Sequence, residues 1–227
     1  MSDADRVFVS HGHQDHLRDV PAIVAVSGAM VYCSAVAART LKRKGVPRDR
    51  VRLLADGESL GFDGCGVRVA ECEHSKTDLE LMLRTAPRLL RLVPRLLVET
   101  VTMSSGPLLV FTFDLGGLSI MHMGSLCRSV SRLSEGVGGH DRPAPPDILL
   151  IPLRGRSDIG RLAAEAAAAI KPRAVVPQHH DNFLPPLSPP VDVESFRSLL
   201  AGMMPGCIYY EPTMNLEFDE SDVFGAR

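Results

Sequence analysis

Apolar positions recur along this chain with two spacings. Alternating or continuous apolar runs of about four to eight residues between turn-forming residues predict strands. They fall at "RVFV" (6–9), "MVYCS" (30–34), "RVRLL" (50–54) and "GVRVAECEH" (66–74). A meander follows in "ETVTM" (99–103), "LLVFTF" (108–113) and "LSIMHM" (118–123), with turns at "SSGP" and "DLGG". "DILLIPL" (147–153) is apolar throughout, the pattern of a strand covered on both faces. "AVVPQHH" (174–180), "CIYYE" (207–211) and "NLEFD" (215–219) complete the strands. Helical spacing covers 17–28, stopped by Gly28, and 35–45, with basic residues at the C-terminal end where the macrodipole favours them. It returns at 157–172, where Ser157 or Asp158 caps, alanine fills and Pro172 ends the helix, and at 192–203.

Strands and helices mix along the whole length, which predicts a layered α/β fold with sheets covered by helices. The 227 residues show neither an internal repeat nor a linker, so residues 1–227 read as one domain; "RPAPPD" and "LPPLSPP" read as rigid loops. With 45% hydrophobic residues the chain is able to bury a sizeable core. A net charge of −2 gives no overall pull toward nucleic acid. No apolar run reaches membrane-spanning length, and the acidic "MSDADR" start is unlike a secretory signal. Five scattered cysteines without a CxxC read as reduced thiols, and a cytoplasmic location is expected.

The chemistry concentrates in "VFVSHGHQDHL" (7–17). On an extended backbone residues two apart project to the same side, so His11 and His13 are able to meet one metal at about 2.0–2.1 Å. Asp15 and His16 follow where the strand turns into a helix, and they are placed to reach a second point nearby. Nitrogen and carboxylate donors suit zinc, with manganese or iron as alternatives. Two metals about 3.5–4 Å apart form a hydrolytic clamp.

This H-x-H-x-D-H after a hydrophobic strand resembles the signature of the metallo-β-lactamase-fold hydrolases. The likeness continues in "VRVAECEHS" with His74, in "IMHMGS" with His122, Gly124 and Ser125, and in "AVVPQHH" with His179. The flow of residues 147–180 looks most like the branch that includes ascorbate-phosphate lactonase-like proteins. The resemblance implies an αββα sandwich and one or two zinc ions. One metal would take His11, His13 and His74, and the other Asp15, His16 and His179. Asp15 and His180 are the candidate catalytic residues. His180 stands where a second-sphere or substrate contact is expected, with a solvated loop histidine as the competing reading. His122 is expected as a supporting or packed strand residue, and His140 as a loop histidine.

Two departures from the family pattern change the picture. Ser125 occupies the position of a metal-bridging aspartate, so one negative charge is missing between two dications. Cys127, Glu135 or Asp141 are candidate substitutes. Only ten residues precede His11, whereas the family usually carries several strands there. An incomplete first sheet is expected, with an exposed edge near 6–9 and a homo-oligomer covering it. Residues 78–100 carry Arg84, Arg88, Arg91 and Arg95 as a helical stripe interrupted by Pro87 and Pro94. An amphipathic helix with a solvated basic face, a lid, a dimer contact and membrane-surface binding are the readings of it. Arg154 and Arg156 follow a buried strand and are candidates to bind an acidic substrate, or simple surface arginines. The expected activity is hydrolysis of an ester-like, lactone or phosphoester bond in a small molecule by a metal-bound hydroxide. The alternative is a metal-binding protein whose chemistry Ser125 has impaired.

Overall fold

The computed structural model describes residues 3–75, 80–81, 106–135, 144–181, 191–213, 217 and 219–225. Two sheets form. The first is β1 (Arg6–Phe8), β2 (Met30–Cys33) and β3 (Val51–Leu53), all parallel, in the order β1-β2-β3. Among the described residues β1 and β3 are the edge strands, each paired with β2. Parallel neighbours need crossover connections. Helices α1 (Gln14–Leu17) and α2 (Val20–Ser27) supply the first, and α3 (Ala35–Arg43) the second.

The helix predicted over 17–28 is α2, and α1 is a separate turn that ends at Leu17. Pro21 lies in the first turn of α2, where its missing N–H leaves no intrahelical bond unmade. Gly28, at φ 71°, ends α2 and donates its N–H to Val24 O. Ser34 caps α3 by accepting the Ala37 N–H at 3.3 Å.

The second sheet holds β4 (Ser59–Phe62), β5 (Cys65–Cys72), β6 (Leu108–Asp114), β7 (Ser119–Met123), β8 (Ile148–Pro152), β9 (Ala174–Gln178) and β10 (Ile208–Tyr209). Their order is β10-β9-β8-β7-β6-β5-β4, antiparallel from β4 to β7 and parallel from β7 to β10. Helices α4 (Ser131–Glu135), α5 (Ile159–Ile170) and α6 (Val193–Met203) lie in the parallel crossovers, and α7 (Glu220–Phe224) follows β10. β4, α4 and α7 have too few apolar positions to show as periodic runs. "ETVTM", most of "NLEFD", most of the basic stretch 78–100 with its four arginines, His140 and Asp141 lie outside the described residues.

Three cores stack as helix, sheet, sheet, helix. Val31, Cys33, Val24, Ala37 and Leu41 join the first sheet to its helices. Phe8, Tyr32, Val69 and Phe111 fill the space between the sheets, and Phe8 stacks on Tyr32 with ring centroids 4.8 Å apart. Val110, Leu149, Ile151 and Val175 pack against Ala163, Ala167 and Phe196 of the outer helices. A further cluster lies on the inner face of the second sheet. There Ile148 and Val176 pack with Val223 of α7. No helix among the described residues is long and apolar enough to cross a membrane.

Candidate metal centre

Strand direction gathers the site. β5, β7, β8 and β9 run the same way, with β6 reversed between β5 and β7. Residues just past their C-terminal ends therefore emerge on one edge of the sheet. Those residues include His74 after β5, Gly124 and Ser125 after β7, Arg154 after β8 and His179 after β9. From the first sheet, β1 delivers Ser10, His11 and His13 to the same edge, and the single turn α1 carries Asp15 and His16. Leu109 N–H donates to Ser10 O at 2.7 Å and ties the loop to β6.

Two sets of donors result. One donor atom from each of His11, His13 and His74 lies within 4.8 Å of the others, and the same holds for Asp15, His16 and His179. The sets abut, since the His11 and His16 rings are 4.2 Å apart at their centroids. His11 Nε2 lies 2.9 Å from His13 Nδ1. In the second set, Asp15 Oδ2 is 3.2 Å from His179 Nε2 and 3.4 Å from His16 Nε2.

Hydrogen bonds assign lone pairs. His74 Nδ1 lies 2.6 Å from Ser75 O, and a carbonyl only accepts, so Nδ1 carries the hydrogen. In the neutral ring Nε2 then holds the lone pair, and Ser125 Oγ lies 2.8 Å from it, placed to donate. Ser10 Oγ, buried, sits 3.0 Å from His11 Nδ1. When it accepts the Nδ1 hydrogen, His11 Nε2 is left with its lone pair toward His13. Orientation of a ligand histidine through its other ring nitrogen is a general feature of metal sites.

Burial favours the neutral imidazoles that metals need. Desolvation, reinforced by His16, His13 and His74, brings the His11 pKa down to about 2. Desolvation also brings His16 to about 4 in spite of Asp15, and lowers His13. For Asp15 burial opposes ionisation, but the bond to His179 and the nearby His16 outweigh it and hold the carboxyl below its usual range. Three imidazoles in one set, and a carboxylate with two imidazoles in the other, are a donor chemistry that fits zinc, manganese or iron.

Other residues singled out in the sequence have different neighbours. Ser125 hydrogen-bonds within the first donor set, to His74. Gly124 makes its close approach to Ser10, where a Cβ would overlap the serine side chain. His122 is lowered in pKa by burial, bonds Gln178, and lines a cavity of about 380 Å³ with Asp15, His16 and His179. Cys127 is buried and its thiol bonds Cys72. His180 Nε2 lies 3.6 Å from Glu211 Oε1, and His180 is absent from the lining of that cavity. Arg154 donates Nε to His179 O at 3.2 Å and also donates to Asp181 O. Arg156 donates Nε to Asp158 Oδ1 at 2.8 Å. Both arginines, candidates for substrate or surface positions, thus have partners in the protein itself: Arg154 because the chain returns beside the end of β8, and Arg156 two residues along its own loop. A larger cavity of about 990 Å³ opens beside His13 and His74, with Glu73, Arg128 and Arg132 in its lining. Sequence reasoning missed Ser10 and Gln178. The only local sign of Ser10 is its place directly before His11.

A family model described as a beta-lactamase superfamily domain matches residues 1–179. Similar curated proteins are described as UPF0173 metal-dependent hydrolases. One from Pyrococcus abyssi is 28% identical over 206 residues, covering 88% of this chain and 76% of that protein. Another, from Cupriavidus taiwanensis, is 27% identical over 228 residues, covering 96% and 72%. Among solved structures, Igni18, a metallo hydrolase from Ignicoccus hospitalis, superposes with a TM-score of 0.59 at 18% identity, covering 95% of this chain and 80% of that one. The metallo-beta-lactamase fold protein YhfI from Bacillus subtilis gives 0.58 at 12% identity, covering 92% and 74%. At these identities the superpositions speak to the fold.

Proposed function

Because the chain belongs to the beta-lactamase superfamily, we propose that it is a metal-dependent hydrolase, the description its curated relatives carry. The bond it cleaves is ester-like, a lactone or a phosphoester, in a small molecule. The observation that carries this reading is the meeting of six side chains in two abutting three-donor sets on one sheet edge. His11, His13 and His74 would hold one ion, and Asp15, His16 and His179 a second, with zinc the first choice. A metal bound there supplies Lewis acidity and lowers the pKa of water toward neutrality.

The chain's own residues do the rest. Ser10 and Ser75 O orient His11 and His74 through their Nδ1 atoms. Asp15, ionised beside His16 and His179, gives the second set its anionic donor; with its carboxyl held below the usual range, its part in the reaction is to hold the metal. The cavity beside His13 and His74 leaves room for a small substrate next to the first set. His180 takes no part in this scheme, since it faces Glu211.

A second reading is favoured by Ser125, which offers a neutral hydroxyl where the family pattern has a bridging carboxylate. In that reading the protein keeps a metal and has lost turnover. The test is metal analysis by inductively coupled plasma mass spectrometry on protein purified without added metal, followed by a panel of esters, lactones and phosphodiesters. Bound metal with turnover that a chelator abolishes is the expected result. Bound metal without turnover selects the second reading, and protein that neither carries nor takes up metal overturns both.

A further inference from the structure

His179 reaches its place against the habit of its own strand. Along β9, Val175 faces the outer helices and Val176 the inner layer, so Gln178 faces inward and an extended His179 would face outward again. Instead His179 adopts φ 59°, the left-handed conformation that residues with a Cβ rarely take. That turn brings its Nε2 within 3.2 Å of Asp15 on the inner side.

A conformation of this kind persists only where the surroundings hold it. Four successive carbonyls are held here. Leu153 N–H donates to Gln178 O at 2.9 Å and Val191 N–H to His180 O at 3.0 Å. The carbonyls of His179 and Asp181 are both taken by the guanidinium of Arg154, through Nε and Nη2. Arg154 stands two residues past the end of β8, the strand next to β9, so its fork spans the turn from the neighbouring strand. A planar fork with fixed donors can grip two carbonyls at once, while an ammonium offers a point charge without that geometry.

We propose that Arg154 is a positioning residue for the metal centre: by gripping the carbonyls on either side of His180 it keeps His179 turned toward Asp15 and His16. This rests on the reading of Asp15, His16 and His179 as a metal-binding set. Arg154 touches neither metal nor substrate in this role; it acts through His179.

The test uses Arg154→Ala and Arg154→Lys in the full chain, with folding checked by circular dichroism. Cobalt(II) titration followed by visible absorption reports each set separately. His11→Ala and His179→Ala assign the two spectral signatures. Both Arg154 variants are expected to weaken the signature that His179→Ala removes by about tenfold or more. The signature that His11→Ala removes should keep its affinity. If Arg154→Ala fails to fold, Arg154→Lys carries the comparison. Wild-type cobalt binding in the folded variants overturns the proposal. So does loss in Arg154→Ala with full recovery in Arg154→Lys, which would make the effect one of charge near Asp15. Indifference of cobalt binding to His179→Ala overturns instead the metal reading on which the proposal stands.

Discussion

Gly124 and Ser10 come from different sheets, and each explains the other. The glycine leaves room for the serine side chain, and the serine hydroxyl meets His11 Nδ1. Gly124→Ala should therefore push Ser10 away, costing about 1–3 kcal/mol as overpacking does. It should also weaken metal binding by the His11 set. Urea unfolding of the chelated protein and a metal titration check the two effects. Ser125 invites the opposite change. Its neutral hydroxyl lies 2.8 Å from His74 Nε2. Ser125→Asp adds a carboxylate at that point, and is expected to raise metal stoichiometry toward two and to increase hydrolysis. Wild-type protein that already holds two metals tightly and does not respond to Ser125→Asp would show that residue 125 does not bridge. Of these residues His11, His13, Asp15 and His16 were legible from their spacing alone. His74 and His179 were legible only by likeness to a family, and Ser10 was not legible, because its partner Gly124 is more than a hundred positions away.

At the level of elements, helix ends carry most of the local logic. Ser34 and Asp192 cap α3 and α6 with side-chain oxygens. Helix α5 departs from the usual device at its C-terminus. Lys171 takes φ 63° there, and its N–H donates to Ala167 O at 2.8 Å, a position where glycine is favoured. Lys171→Gly should relieve the Cβ strain and stabilise the protein by about 0.5–1 kcal/mol after the entropy that glycine adds to the unfolded chain. A rise of roughly 1–4 °C in thermal midpoint is expected by calorimetry. Elements with strong periodicity, such as α5 and β8, follow the predicted runs closely. Short elements do not announce themselves. β4 is "SLGF", and its strand state comes from pairing with β5 over Ser59–Phe62. Helix α7 packs on the inner face of the second sheet, with Val223 as its anchor.

For the whole molecule, the buried histidines tie stability to pH. An unfolded histidine titrates near 6.5, whereas folded His11 and His16 titrate at about 2 and about 4. Below pH 6.5 the unfolded chain binds protons that the native state does not, so stability falls with falling pH. Each such histidine contributes a slope of up to about 1.4 kcal/mol per pH unit until its folded pKa is passed. Asp15 acts in the same direction lower down: its depressed pKa contributes stability above the unfolded carboxyl value, lost as pH falls further. Chelated protein should thus show urea midpoints that are level above pH 7 and decline below 6.5. Metal-loaded protein should lose its metal in the acid range, because protons compete for the same nitrogens.

The sequence by itself determined what short-range order can carry. The apolar periods set a layered α/β fold, and the spacing within "HGHQDH" puts four donor groups at the end of one strand, because extended and helical backbones have known periods. Only the tertiary structure decided what long-range packing controls. Parallel strand direction brought His74, Ser125, Arg154 and His179 to a single edge. A left-handed turn aimed His179 inward against the alternation of its strand. Arg154, which local spacing offers equally to substrate or solvent, found its partners in the turn after β9, where separate segments meet. Such choices depend on distances between residues far apart in the chain, and no local pattern encodes them.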